Sequence, residues 1–220
     1  MTMFLRALLV LAMGFAGTAH SADAISALVG SAQVVRSGQS INLEVGSTLQ
    51  EGDQLSTGPS SEAIILFGDG ALMAVRPASQ VVLQSLPPPS KYQVRSRLIK
   101  VFWGRGRYIS GKKSKALKVT FETATSTIGI RGTDIEIVVS EVPVGTDPAG
   151  TFLKVNQGQA FLVATDGSQI DVSPGEIAFG GAPELVARGG TMPRTPAARV
   201  AARQAQTLFP PGQLDNLLNR

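Results

Sequence analysis

The sequence contains no cysteine, and its one histidine, His20, lies within a predicted export signal. The first 21 residues carry the three parts of such a signal: the basic residue Arg6, the apolar stretch Ala7–Phe15 and a small-x-small triplet that ends at Ser21. Cleavage after Ser21 removes the only imidazole. The remaining chain then has no thiol nucleophile, no imidazole for acid–base catalysis and no imidazole or thiolate ligand for zinc or copper. We therefore predict that the protein is not an enzyme and binds neither a metal nor a cofactor.

Long apolar runs are also absent from the sequence. The stretch Ala7–Phe15 is about half of the ~20 residues that a transmembrane helix needs, and no later segment is long and apolar enough to cross a bilayer. We expect residues 1–21 to be cleaved and the chain to be exported to the periplasm with no integral membrane span. The remaining ~200 residues suffice for one domain and a tail. We predict an all-β domain over 22–188 and a flexible basic tail over 189–220 with one short helix, Pro196–Leu208.

Helical periodicity is missing from the first half of the predicted domain. Short apolar runs alternate there with turn residues, and Asp-Gly pairs such as Asp69-Gly70 favour hairpins. This pattern predicts many short strands arranged as a sandwich, a roll or a solenoid-like stack. The strands predicted in this part of the chain are Ala32–Arg36, Ile41–Val45, Asp53–Ser56, Ala63–Phe67, Ala71–Val75 and Val81–Gln84.

Acidic and apolar residues alternate in the middle of the chain. Ile135, Ile137 and Val139 point to one side and Asp134 and Glu136 to the other, a pattern that predicts a half-buried strand. Two carboxylates on one strand face are also what glycoside hydrolysis requires, so a glycan-processing enzyme of the cell envelope is kept as an alternative function. Alternating acids on a solvated strand are far commoner, and we favour a structural role for both.

Two glycines before this strand predict a kink. Gly129 and Gly132 lie on either side of Arg131 and its neighbour, a spacing that indicates a β-bulge or a close approach of two backbones. The guanidinium of Arg131 is expected to cap backbone carbonyls or to pair with Asp134 or Glu122.

The segment 91–118 contains ten basic residues and no acidic one, so the rest of the exported chain is net negative. Its interleaved apolar residues predict two strands joined by a turn at 104–106, followed by a lysine-rich loop. Such a density of like charge is costly unless the domain's own acids or an external anion compensate it. In an exported protein that anion is a lipid headgroup, lipopolysaccharide, a glycan or an acidic protein, whereas the compartment argues against nucleic acid. The candidate anion- or partner-binding residues are Arg95, Arg97, Lys100, Arg105, Arg107, Lys112, Lys113 and Lys115.

The last third of the predicted domain also has the pattern of strands and turns. Thr151–Val155 and Gln159–Ala164 are predicted to form a hairpin around 156–158, where asparagine and glycine favour a turn. Further strands are predicted at Gln169–Val172 and Glu176–Phe179.

Residues 128–135 read Ile-Gly-Ile-Arg-Gly-Thr-Asp-Ile. Further short motifs lie on both sides of them within about Gly30–Phe179, namely Gly52-Asp53 with Ser56-Thr57-Gly58, Leu66-x-x-Asp69-Gly70, Gly104-x-Gly106, Gly158 and Gly175. In this order they resemble the motifs of the FecR domain, an all-β periplasmic module of bacteria whose signature is Val-Gly-Val-Arg-Gly-Thr-x-Phe. The resemblance implies structural roles for the motif residues and carries over no catalytic residue. These motif residues are Gly129, Arg131, Gly132, Thr133, Asp69 and Gly70.

The resemblance implies a periplasmic interaction or sensory module. FecR domains relay occupancy of an outer-membrane siderophore receptor to a sigma factor, through a cytoplasmic anti-sigma segment and one transmembrane helix. We expect neither of these two parts in this chain, so the periplasmic part of such a relay is kept as an alternative. We predict a non-catalytic binding module with a sensing or envelope-associated role. Its expected partner is a periplasmic or outer-membrane protein or an anionic envelope component, and not nucleic acid.

Overall fold

The structure is a computed structural model and describes residues 23–86, 96–112, 117–181, 198–201 and 203–218. The predicted export signal lies outside these ranges, as do three candidate binding residues, Arg95, Lys113 and Lys115. Within the described residues, no helix is long and apolar enough to cross a bilayer.

Strands make up nearly all of the regular structure in the described residues. The strands are β1 (Ala24–Val29), β2 (Ala32–Arg36), β3 (Gln39–Asn42), β4 (Gln54–Thr57), β5 (Glu62–Leu66), β6 (Leu72–Val75), β7 (Gln80–Ser85), β8 (Ser96–Ile109), β9 (Lys118–Glu122), β10 (Ser126–Ser140), β11 (Gly150–Ala164), β12 (Gln169–Val172), β13 (Ile177–Gly180) and β14 (Ala198–Val200). Two short helical segments follow, a 3₁₀-helix at Arg203–Leu208 and α1 at Asp215–Leu218. The prediction of an all-β fold is confirmed.

Three long strands, β8, β10 and β11, pass from one set of strands to another. The first set has the order β3-β2-β4-β7-β8-β9-β10-β11-β12, and the second has the order β1-β5-β6-β8-β10-β11-β13-β14. Neighbours are antiparallel except β8 and β9, which are parallel. Because the long strands belong to both sets, the described strands form one continuous hydrogen-bonded sheet that folds back on itself.

Both sets direct apolar side chains into one buried cluster. Leu55 and Leu83 come from the first set and Ile65 from the second, and all three are fully buried. The alternation predicted for β10 is confirmed, since Ile135 and Ile137 join the same cluster. Burying one such side chain contributes about 1.5–3 kcal/mol, so the shared cluster holds the two sets together.

Strands β10 and β11 both bend where they pass from one set to the other. Arg131 lies opposite Gln159, but Asp134 lies opposite Gln157, so β10 carries an extra residue between these pairs. The following pair skips a residue of β11 instead, and this restores the original register. The predicted kink is confirmed, and it consists of two bulges that compensate each other.

Glycines allow this corner to form. Gly132 in β10 and Gly158 in β11 have positive φ angles of 62° and 82°, a conformation that strains residues with a Cβ. A Cβ at Gly158 would also overlap the carbonyl oxygen of Gly132 and crowd Thr133. The predicted hairpin around 156–158 is therefore wrong, because these residues form a bulge inside the continuous strand β11.

The predicted turn at 104–106 is also wrong. Strand β8 continues through these residues, and its two glycines allow close contacts with neighbouring elements instead. A Cβ at Gly104 would overlap Ser79, and a Cβ at Gly106 would lie 3.2 Å from the carbonyl oxygen of Ala74. Glycine is favoured both in turns and where two backbones approach closely, so this sequence pattern does not distinguish the two.

Residues 203–218 lie across the outer face of the second set, and we call them the C-terminal strap. Their apolar side chains complete two buried clusters on that face. The first cluster contains Val138, Phe152, Ile177 and Phe179 of the sheet with Ala205, Leu208 and Phe209, and the second contains Ile64 and Ala74 of the sheet with Leu214 and Leu218. The strap is therefore docked on the domain, in contrast to the flexible tail that its composition predicts.

The helix predicted over Pro196–Leu208 is wrong in its described part. Ala198–Val200 forms β14, which pairs with β13, and the 3₁₀-helix follows. Alanine and arginine favour helix locally, but the backbone pairing with β13 decides the conformation here. The division into a domain over 22–188 and a tail over 189–220 stays a prediction.

The corner between β10 and β11 predicts a large difference between two glycine substitutions. Gly158 and Gly167 both have φ of 82°, but nothing lies within 4 Å of a Cβ at Gly167. Gly167→Ala is expected to cost about 1–2 kcal/mol of unfolding free energy from its backbone conformation alone. Gly158→Ala adds the overlap with Gly132 and is expected to cost about 3 kcal/mol or more. Urea unfolding of both variants measures the difference, and equal losses would contradict the role assigned to this corner.

Candidate functional site

Arg97, one of the predicted anion-binding residues, is buried. Its side chain is 1% exposed, and its guanidinium donates to both carboxylate oxygens of Asp69 at 3.1 and 3.3 Å and to the hydroxyl of Tyr108 at 2.8 Å. It also stacks 3.8 Å from the ring centroid of Phe67. The prediction that Arg97 contacts an external anion is therefore wrong, because its charge is compensated inside the domain.

The partner of Arg97 comes from the turn between β5 and β6. Asp69 accepts a hydrogen bond from the amide of Ala71 at 3.2 Å, and Gly70 has a φ of 83°. The Asp-Gly pair thus shapes the turn while its carboxylate reaches the buried guanidinium. The predicted turn supplies Asp69 and the basic segment supplies Arg97, and these two residues form one internal ion pair.

Two further basic residues of the segment 91–118 also pair with acids of the domain. Lys100 lies 3.5 Å from Glu122, with both side chains about 40% exposed, so this pair contributes little to stability. Arg107 donates to both carboxylate oxygens of Asp134 at 3.0 and 2.7 Å. The hydrogen bonds that Arg107 donates to Asp134 raise the pKa of Arg107 above its ordinary value, although burial opposes this shift.

The two carboxylates of β10 take part in a network of nitrogen donors. Besides Arg107, Asp134 accepts a hydrogen bond from the amide of Asn156 at 3.2 Å. Glu136 accepts bonds from Asn156 at 3.1 Å and from Lys154 at 2.9 Å. Both carboxylates therefore hold β8, β10 and β11 together on their outer side, which is a structural role.

A groove beside the corner collects basic residues that have no such partner. We call it the motif groove; it has a volume of about 430 Å³ and is lined by residues 109–112, 117, 131–134 and 157. Arg131 and Lys112 are exposed on it. The pairing of β9 with β10 ends at Ile130 and Val119, so Arg131 and Lys118 are the next residues on the two strands. None of these three cations has an ion-pair partner among the residues that the structure describes.

Arg131 therefore differs from its prediction. The sequence predicts that it caps carbonyls or pairs with Asp134 or Glu122. In the structure Asp134 pairs with Arg107, and Glu122 pairs with Lys100. Arg131 is exposed at the bulge and lines the motif groove. Its position follows from the backbone, because the register of β10 changes at the next residue.

The floor of the motif groove is polar and is fixed by two hydrogen bonds between Ser110 and Thr133. The amide of Thr133 donates to the Ser110 hydroxyl at 3.1 Å, and the amide of Ser110 donates to the carbonyl of Thr133 at 2.9 Å. The Thr133 hydroxyl is buried and has no hydrogen-bond partner within the described part of the chain. Leaving such a group unpaired costs free energy.

A second cleft lies on the other side of Arg131. It has a volume of about 310 Å³, and its lining includes Gly129, Phe161 and Asp171. The ring of Phe161 lies over Gly129, where a Cβ would overlap it. Arg131 thus stands between a polar, basic groove and a more apolar cleft, and one ligand on the corner would contact both.

Sequence reasoning missed part of this site. Arg131 was assigned a structural role, and Lys118 was not among the candidate binding residues although it ends the basic segment. Of the candidates that were named, Lys112 lies in the motif groove, whereas Arg105 lies on β8, where its carbonyl accepts bonds from the amide of Arg76 and the hydroxyl of Ser79. In the described ranges, no three or more acidic, histidine or cysteine residues gather as metal ligands would.

No protein-family model and no curated protein matches the sequence. Two crystal structures of a candidate anti-sigma factor from Parabacteroides distasonis resemble the fold, each with a TM-score of 0.44 and 11% sequence identity over 57% of this chain and 53% of that protein. The chain thus spans about half of the length of these structures. This likeness is too low to support an inference about function, and the resemblance to the FecR domain stays a prediction.

The buried Tyr108 predicts a loss of stability at alkaline pH. Burial raises its pKa from 10.0 to about 12. The unfolded chain releases this proton near pH 10, so the contribution to stability is complete below pH 10 and is lost as the pH rises towards 12. Tyr108→Phe lacks the proton, so its urea midpoint should fall less between pH 9 and pH 11 than that of the wild type. Removing the bond to Arg97 should cost about 1 kcal/mol at pH 9. Equal falls for both proteins would contradict the assignment.

Proposed function

We propose that the protein is an exported, non-catalytic binding module that contacts an anionic partner through the motif groove. The observation that carries this proposal is the contrast within one basic segment. Arg97, Lys100 and Arg107 are neutralised by acids of the domain, whereas Lys112 and Lys118 have no acidic partner in the described residues. Lys112 lines the motif groove together with Arg131, and Lys118 follows Leu117, which also lines it.

Physical reasons favour binding at this position. Like charges that lie close together repel one another, and carboxylates or phosphates of a partner would relieve this repulsion. The guanidinium of Arg131 suits planar carboxylate or phosphate groups because it donates two parallel hydrogen bonds. Two hydrogen bonds join Ser110 and Thr133 on the floor of the groove, so this part of the site needs little ordering on binding.

The predicted periplasmic location limits which classes of partner are available. The predicted export signal puts the mature chain in the periplasm, where anionic groups are carried by proteins, glycans and lipid headgroups. We propose a periplasmic or outer-membrane protein, or an anionic envelope component, as the partner. The resemblance to the FecR domain supports a sensing or envelope-associated role for that contact.

Neutralising the groove tests this function. Arg131→Gln and Lys112→Gln each remove one unpaired cation, and Lys100→Gln removes one cation that already pairs with Glu122. Immobilised wild type and variants are incubated with periplasmic and envelope fractions at about 50 and about 300 mM salt. The groove variants are expected to retain about three- to tenfold less of a partner captured by the wild type at low salt.

Lys100→Gln is the matched control and is expected to retain the partner at the wild-type level. Equal losses in all three variants would indicate an effect of net charge alone and contradict a specific groove. Capture that resists both the substitutions and the higher salt concentration would also contradict it.

A further inference from the structure

The C-terminal strap contributes one carboxylate to two arginines of the domain. Asp215 lies 2.6 Å from the guanidinium of Arg76 and 3.6 Å from that of Arg107. Arg76 begins the connection after β6, and Arg107 lies in β8. The sheet brings them together, because β6 and β8 are adjacent and Ala74 lies opposite Arg107. The two guanidiniums thus form a clamp for a single carboxylate.

Each arginine of the clamp is also held by a carboxylate of the sheet. Arg76 donates to the fully buried Glu62 at 2.6 Å, and Arg107 pairs with Asp134 at 2.7 Å. The positive charges of the clamp are therefore compensated without Asp215. Removing the strap would leave no buried guanidinium without a carboxylate, so the clamp is a preformed receptor and not a site that the strap must complete.

The remaining contacts of the strap indicate what kind of peptide segment this face of the sheet can bind. The backbone amide of Gln213 donates to Glu62 at 2.7 Å. The guanidinium of Arg76 occupies the space that a Cβ at Gly212 would need. Leu208 and Phe209 belong to one apolar cluster, and Leu214 and Leu218 belong to the other. Apolar side chains therefore flank Asp215 in the sequence of the strap. The face therefore fits an acidic residue flanked by apolar side chains on a short helical turn.

The strap is not part of the hydrogen-bonded sheet. Its regular structure consists of the 3₁₀-helix and α1, and it adds no strand to the sheet order. Strands can leave a sheet only by breaking a row of backbone bonds, whereas the strap contacts the sheet through the Asp215 carboxylate, the amide of Gln213 and two apolar clusters. Its release would therefore break no strand pairing.

We propose that the outer face of the second strand set is a docking site for an acidic, apolar-flanked segment of a partner protein, and that the C-terminal strap is its intramolecular competitor. The free protein fills its own site with Asp215 and its apolar neighbours. A partner segment of the same chemistry binds by displacing the strap. This surface adjoins the motif groove, which Ile109 and Asp134 also line, but the proposed segment binds through Arg76 and Arg107, so the inference does not depend on the function proposed above.

The test uses the full chain and a labelled peptide with the sequence of residues 203–218. Fluorescence anisotropy measures binding of the peptide to the wild type and to Asp215→Asn, in which the competing strap has lost its charge. The attached strap acts at a high effective concentration, so it should mask the site in the wild type. The peptide is expected to bind Asp215→Asn at least about tenfold more tightly than the wild type, since a charge-assisted bond no longer holds the strap.

Three controls make the outcome decisive. Asn216→Ala changes an exposed neighbour of Asp215 and should bind the peptide as the wild type does. A peptide that itself carries Asp215→Asn should bind at least about tenfold more weakly to the unmasked chain. Leu214→Ala weakens the strap from its apolar side and should also increase peptide binding, which keeps the test valid if Asp215→Asn does not fold. Circular dichroism verifies folding of each variant.

Two results would overturn the proposal. One is a folded Asp215→Asn or Leu214→Ala chain that binds the peptide no more tightly than the wild type does. The other is a peptide whose binding does not depend on its own acidic residue. Either result would show that the strap is a fixed part of the domain and not the occupant of a docking site.

Discussion

The close contact of two backbones at Gly132 and Gly158 is the constraint on which the rest of the structure depends. It lets β10 and β11 change direction together while their pairing resumes in the original register. The two sets of strands can then share their longest members and enclose one apolar cluster. The register changes directly after Arg131, which is exposed and lines the motif groove, so the feature that shapes the fold also shapes this groove.

Much of the fold could be predicted from local patterns. The alternation of Ile135 and Ile137 with acids identifies a half-buried strand, and the spacing of Gly129 and Gly132 identifies the kink. The prediction failed where a glycine makes room for a residue that is distant in the sequence. Gly104 was interpreted as part of a turn, but it makes room for Ser79, which lies on another element. Local sequence does not contain that information.

The candidate site was harder to predict, because the charge of a residue does not indicate its partner. Arg97, Arg107 and Lys112 look alike in the basic segment, yet Arg97 is buried against Asp69, 28 residues away, and Arg107 pairs with Asp134, 27 residues away. Lys112 pairs with neither of these acids. The register of the sheet decides which basic side chains have no acidic neighbour and can bind a partner. Register is a property of the whole fold.

The position of the strap at the end of the chain has a consequence for biogenesis. Asp215 bonds to a residue 139 positions earlier, and the amide of Gln213 bonds to one 151 positions earlier. Because the chain is synthesised from its N-terminus, Ile64, Ala74 and Phe152 exist before residues 203–218 that cover them. During that interval the nascent domain presents an uncovered apolar surface, which favours aggregation.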